Sequence, residues 1–194
     1  TRKVAKQIKK RFDDETMAEP VNINKAQPAD LAAYDFLILR TPTLGDGLLP
    51  GLEAECDDES WAEALDKLKG TSFAGKTVAI YGLGDQDTYG HEFVDGMILL
   101  YDFFKDAGAK IVGAWPVDGY TFDVSQSVID DKFVGLAIDQ DIQPELTAER
   151  IAFDLDADGH TGRCFSEPDF WQEPDADGPQ SRLSAGDCDQ PISD

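Results

Sequence analysis

Apolar residues along this chain fall into short unbroken runs separated by longer amphipathic stretches. Phe36-Leu37-Ile38-Leu39 and Val78-Ala79-Ile80-Tyr81 are continuous rather than alternating. That is the pattern of strands covered on both faces, as in a parallel sheet packed between helices. Val21 to Asn24, Lys110 to Trp115 and Phe133 to Ile138 are further strand candidates. The intervening segments read as helices. Val4, Ile8 and Phe12 recur at helical spacing in the first twelve residues. Ser60-Trp61-Ala62-Glu63 has the spacing of a capping box and opens a helix running to about Lys69. Glu92 to Ala107 carries Phe93, Met97, Leu100, Tyr101 and Phe104 before Gly108 stops it. Strand–helix alternation over this length predicts an α/β fold.

Two segments break the alternation. Pro116 to Asp131, with Asp118-Gly119 turn chemistry and mixed polar and aromatic residues, reads as an excursion inserted between two strand candidates. Thr147 is placed to cap a last helix through Glu149-Arg150-Ile151. From Phe153 onward Asp, Gly, Pro and Ser dominate and periodic apolar positions disappear. The expectation is one domain over residues 1–151 and an acidic tail without packed structure over 152–194.

Charge narrows the partners. The 194 residues carry 17 Lys+Arg against 39 Asp+Glu, a formal charge of −22. Such a surface repels phosphate backbones, which argues against general nucleic-acid binding, and it attracts and steers a basic protein partner. The all-positive start (Arg2, Lys3, Lys6, Lys9, Lys10, Arg11) reads as the solvated face of a helix. No apolar run approaches the length of a membrane span, so a membrane partner is not expected. Cys56, Cys164 and Cys188 form no CxxC pair, which argues for a reducing compartment and against a zinc ribbon.

Other motifs carry less. Asp154-Leu155-Asp156-Ala157-Asp158-Gly159 has the first half of a calcium-loop pattern, but Phe165 stands where the bidentate Glu belongs. His160 and Cys164 lack the helix that would pair them. The acidic residues around Cys56 disfavour its thiolate. With His91 and His160 alone, and no GxSxG elbow, hydrolase chemistry has no triad.

Open parallel sheets bind ligands beyond the carboxyl ends of their strands. Two loops stand there: Thr41-Pro42-Thr43-Leu44-Gly45-Asp46-Gly47, and Gly82-Leu83-Gly84-Asp85-Gln86-Asp87-Thr88-Tyr89. Glycines let the backbone approach a flat ligand edge-on, and Leu44 and Tyr89 are suited to cover its two faces. Composition alone favours the reading of both as ordinary strand-end turns.

These two loops, the run Phe73-Ala74-Gly75-Lys76-Thr77 leading into the second, Asp118-Gly119-Tyr120, and Lys132-Phe133-Val134-Gly135-Leu136-Ala137-Ile138-Asp139 resemble long-chain flavodoxins, particularly those of nitrogen-fixing bacteria. The resemblance spans residues 1–151. It implies a flavodoxin-like three-layer α/β/α fold with sheet order 2-1-3-4-5, the order that flavodoxins themselves exemplify, and a long-chain insertion in the last strand. It also implies noncovalent FMN and a cytoplasmic, monomeric, low-potential one-electron carrier. Such a carrier is not itself an enzyme. It would work between a basic-faced reductase and a redox acceptor, the nitrogenase reductase component being the acceptor suggested by these relatives.

Carried over residue by residue, the resemblance places Tyr89 on the outer face of the isoalloxazine and Leu44 on the inner face. Thr41, Pro42, Thr43 and Gly47 frame the first loop, and Leu83 and Glu92 bound the second. The Gly45–Asp46 peptide would turn its carbonyl toward the reduced ring. Gly84 and Asp85 would meet the pyrimidine end through backbone groups, and Thr1 the phosphate. Asp46 and Asp85 would oppose added negative charge on the ring.

The chain also departs from the family. Members begin with an apolar strand and a Ser/Thr-rich phosphate loop, of which Thr1 is the last residue, so strand 1 of the sheet is expected to be missing. Arg40 and Thr88 stand where Gly is usual, and His91-Glu92 where Asn is common. Two rival readings follow: a degenerate flavodoxin-like module without flavin that acts only in interactions, and an FMN-using reductase with its own substrate.

Overall fold

The computed structural model describes residues 2–12, 17–152 and 182–185. Helix α1 (Arg2–Phe12) buries Val4, Ala5 and Ile8 and leaves Lys3, Lys6 and Lys10 exposed, as its periodicity predicts. The strand expected at Val21 to Asn24 is instead a bridge residue at Val21 and a 3₁₀ turn at Ile23–Lys25. The Asn22 side chain accepts from the Asn24 amide, a local bond that competes with strand pairing. Helix α2 (Pro28–Ala32) then leads to strand β1 (Phe36–Pro42).

Helix α3 (Trp61–Leu68) begins where the capping box places it: Glu63 Oε2 accepts the Ser60 N–H at 2.8 Å. Trp61 is fully buried, and its indole N–H donates to the Arg40 carbonyl at 2.6 Å, which ties α3 to the end of β1. Strand β2 (Thr77–Leu83) lies parallel to β1 in a seven-residue register from Phe36↔Thr77 to Pro42↔Leu83. Leu37, Ile38, Leu39, Val78, Ala79, Ile80 and Tyr81 are all but inaccessible, so both faces of these strands are covered. Burial of each large apolar side chain contributes roughly 1.5–3 kcal/mol.

Helix α4 (Gly96–Asp106) starts four residues later than the pattern predicts. Val94 takes a left-handed backbone, φ 54°, which a helix cannot include. The buried Ser127 hydroxyl donates to the Val94 carbonyl at 2.8 Å and holds that turn. The next strand is split. Strands β3 (Lys110–Val112) and β7 (Leu136–Ile138) both pair parallel with β2, at Val78↔Ile111 and Gly82↔Ala137. The expected excursion lies between them. It forms an antiparallel sheet of β4 (Trp115–Pro116), β5 (Val128–Ile129) and β6 (Lys132–Phe133), so the longer strands expected to reach Trp115 and to start at Phe133 both give residues to it. Phe93, Tyr120, Phe122 and Phe133 pack their rings at 5.2–5.8 Å beneath it.

Helix α5 (Leu146–Ala152) packs against α1 and β7. Thr147 does not cap it: the helix starts one residue earlier and the Thr147 hydroxyl is buried without a hydrogen-bond partner. Of the segment 152–194, expected to be an acidic tail without packed structure, residues 182–185 are described beyond the end of α5. Arg182–Ala185 forms strand β8, parallel to β1 from Phe36↔Arg182 to Leu39↔Ala185. The sheet therefore runs β3-β2-β1-β8, with β7 also on β2. Beside β1, in the position that the resemblance's sheet order gives to strand 1, stands β8. The physical reason is the orphan edge: β1 is buried on both faces, and its outward N–H and C=O groups need a partner that water cannot supply. The calcium-loop pattern at 154–159, His160, Cys164 and Cys188 lie outside the described residues.

Candidate functional site

Because β1 and β2 are parallel and in full register, their two following loops emerge side by side. The Thr43 amide donates to the Leu83 carbonyl at 3.3 Å across the gap. Thr41–Gly47 and Leu83–Tyr89 are thus brought together at the carboxyl edge of the sheet, where the resemblance needs them. Thr1 lies outside the described residues.

The first loop is closed by a small bridge: Leu44 and Leu48 exchange amide-to-carbonyl bonds at 3.0 and 2.7 Å. Between them Gly45 and Asp46 are exposed, and a Cβ on Gly45 would meet nothing within 4 Å. Asp46 and Gly47 are both left-handed, φ 55° and 77°. The stem is firm. Thr41 is fully buried, and Thr43 Oγ1 accepts the Gly96 amide at 3.0 Å, satisfying an orphan donor at the start of α4. Ser127 Oγ does the same for Ile98, also at 3.0 Å.

The second loop turns on carboxylates. Asp85 Oδ1 accepts from the amides of Asp87 and Thr88 at 3.0 and 2.9 Å. Burial raises the Asp85 pKa, but the Thr88 amide and hydroxyl and the Asp87 amide outweigh it and hold the group below its ordinary value. The Tyr89 amide returns to the Asp85 carbonyl at 3.0 Å, leaving its ring half-buried at the loop's end. The Gly84 N–H is committed to the Ile138 carbonyl at 3.2 Å. Glu92 is buried beyond the loop, with its amide on the Tyr89 carbonyl at 3.1 Å.

Sequence reasoning did not assign Gln86, Asp95 or Asp139 to the site. Asp139 is completely buried at the end of β7 and accepts four N–H bonds, from Gln86 N and Nε2, Asp141 N and Ile142 N. Asp95, 2% exposed, accepts from Gln126 N at 2.7 Å and stands 3.5 Å from where a Gly47 Cβ would be. One signal was available: Asp139 closes an apolar strand at the same edge as the two loops. Among the described residues no cluster of three metal-ligating side chains occurs, and no helix is long and apolar enough to cross a membrane. Cys56 is buried.

A doubly wound parallel sheet with two glycine-bearing loops at its carboxyl edge defines a class of protein that binds a flat ligand there. The particular family follows from the comparisons. A profile described as flavodoxin matches residues 1–165. The chain is 50% identical over 152 residues to a flavodoxin of Klebsiella pneumoniae, covering 78% of this chain and 86% of that one. It is 43% identical to flavodoxin 1 of Escherichia coli K12, with coverages of 78% and 81%. The crystal structure of Fusobacterium nucleatum flavodoxin bound to flavin mononucleotide superposes with a TM-score of 0.68 at 32% identity, over 78% of this chain and 84% of that chain. This chain belongs to the flavodoxin family. Members are FMN-dependent electron-transfer proteins that accept electrons from reductases and donate them to redox proteins, without substrate chemistry of their own.

Proposed function

We propose that this chain holds FMN between Thr41–Gly47 and Leu83–Tyr89 and passes electrons singly from a basic-faced reductase to a redox protein, with nitrogenase's reductase component as acceptor. The observation that carries the reading is the pairing of the two loops through Thr43 and Leu83 at the end of adjacent parallel strands. Bound FMN supplies the one-electron chemistry. The residues present fit the ring: Leu44 and Tyr89 are half-buried, each with surface left to cover a face. With its N–H engaged by Ile138, Gly84 meets the pyrimidine end through its carbonyl, and the Asp85 amide serves as donor.

The chain's own residues set the energetics. A Cβ on Gly45 would meet nothing within 4 Å, and Gly47 supplies the left-handed residue that closes the turn. The Gly45 carbonyl is held by a long bond from the Leu48 N–H at 3.4 Å, which the Gly45–Asp46 peptide would give up on turning. Asp85 keeps its negative charge firmly, since three bonds from its own loop hold the carboxylate, and Asp46 adds a second charge at the exposed rim. Both oppose a second electron on the ligand and so favour a low potential. Downstream of the first loop, Leu52 is 54% exposed among exposed Glu53, Glu55, Asp57, Asp58 and Glu59. An apolar residue within a rim of carboxylates suits a basic partner, with association that slows as salt is added.

The test is a titration of FMN fluorescence with the full chain, with riboflavin as control. Strong quenching is expected, weaker with riboflavin where the phosphate is sensed. Absence of quenching overturns the reading in favour of a flavin-free interaction module. A reductase on-rate unchanged between low and high salt would remove the steering argument.

A further inference from the structure

Gln86 is 3% exposed, and both ends of its side-chain amide are hydrogen-bonded to residues outside the second loop. Its Nε2 donates to Asp139 Oδ2 at 2.8 Å, its main-chain N–H to the same oxygen at 3.0 Å, and its Oε1 accepts the Thr121 amide at 2.5 Å. Asp139 is held from the other side by Asp141 N and Ile142 N at 2.9 and 2.8 Å. One amide thus joins three elements: the loop itself, the end of β7 and the insertion. The next fixed point is Gly90, whose carbonyl accepts Asp123 N and Val124 N, and where a Cβ would stand 2.7 Å from the Gln86 carbonyl. Asp87, Thr88 and Tyr89 are strung between these two anchors.

We propose that Gln86 is a positioning residue: its amide, locked between the Asp139 carboxylate and the Thr121 N–H, fixes where Asp85 and Tyr89 stand, and FMN affinity depends on that lock. The proposal rests on the flavin reading of the loop. Its chemistry is particular to an amide. One end must donate to a carboxylate that has no room for a second negative charge, and the other must accept a backbone N–H.

Gln86→Glu keeps the shape and the acceptor but loses the donor while it is ionised. The groups around it are carboxylates on every side: Asp139 and Asp141 from β7 and beyond, Asp85 and Asp87 from its own loop, Asp123 from the insertion. Arg150, stacked 4.0 Å over Tyr120, brings a cation to the insertion, and His91 is a further titratable group close to the loop in sequence. Burial and the facing Asp139 raise the introduced carboxyl's pKa above that of an ordinary Glu. Below it, the neutral acid donates an O–H to Asp139 and still accepts from Thr121.

FMN affinity of the full-length Gln86→Glu chain, divided by that of the parent at the same pH, is therefore expected to fall about 10- to 100-fold at neutral pH and to recover on acidification. Gln86→Met removes donor and acceptor together, so its loss stays constant with pH. The urea midpoint of each apoprotein, read in parallel, separates misfolding from misplacement. Affinity unchanged in both folded variants, or a Gln86→Glu loss as pH-independent as that of Gln86→Met, overturns the proposal while the parent still binds FMN. A parent that binds no FMN overturns the flavin reading and this proposal with it.

Discussion

The two loops at the sheet edge are built on opposite plans. Thr41–Gly47 is anchored at its stem, where Thr43 holds the start of α4, and its tip at Gly45 and Asp46 is exposed, with open space where a Gly45 Cβ would stand. Leu83–Tyr89 is anchored through its middle, where Gln86 is clamped to a buried carboxylate and to the insertion. Under the proposed flavin reading, a carrier that holds one ring edge still while a peptide beside it responds to charge would use both kinds. Open space makes the first loop adjustable. Hydrogen bonds that cannot be exchanged for water make the second rigid.

Breaking the rigid side should have the largest consequence. Asp139→Ala leaves four N–H donors without their acceptor, two of them on buried Gln86, and is expected to cost on the order of 3 kcal/mol, read as a fall in the urea midpoint together with loss of FMN binding. Next comes Gly84→Val. Even its Cβ would sit 3.0 Å from the Phe93 ring and 3.1 Å from Val94 Cγ1, so overpacking of roughly 2 kcal/mol is expected, with weakened flavin quenching beside it.

On the adjustable side, Gly47→Ala and Gly45→Ala form a contrast within three residues. The first forces a side chain into a left-handed backbone and should cost about 1–2 kcal/mol. The second meets open space and should leave stability within about 0.5 kcal/mol, while still shifting the potential of the first electron if the Gly45–Asp46 peptide responds to it. Equal effects of the two on the urea midpoint would erase the distinction between stem and tip.

The smallest expected effect is the acid response of Asp85. Its folded pKa lies below the unfolded value, so its contribution to the loop is present above about pH 3.9 and is lost as pH falls through the depressed value. Asp85→Asn should flatten the acid limb of FMN release. Asp141 runs the other way: burial, then Asp85 and Asp139, raise its pKa, so its ionisation opposes the folded state at neutral pH.

Much of the fold was legible from apolar runs alone. Both central strands, the start of α3 at Ser60 and the excursion between β3 and β7 follow from local pattern, because a strand covered on two faces and a helix with a cap each leave a local signature. Both loops of the candidate site were legible as strand-end segments, since a strand's end and its glycines are read directly. Gln86 stood within the second loop unassigned. Its partner Asp139 lies 53 positions away in sequence, and no periodicity links residues that meet only after the sheet has formed. The later start of α4 was hidden for a similar reason: Ser127, far along the chain, holds Val94 in a conformation its own sequence does not favour.

The sequence by itself determined the α/β class, the two glycine-bearing strand-end loops, the family and the acidic character of the chain. Those depend on the spacing and type of neighbouring residues. Only the tertiary structure decided which strand stands beside β1, which hydroxyls satisfy the first turn of α4, and which carboxylate clamps the second loop. Each of these answers a demand created by folding itself: backbone and polar groups removed from water accept whatever partner the packed chain brings within bonding distance, however far off in sequence it lies.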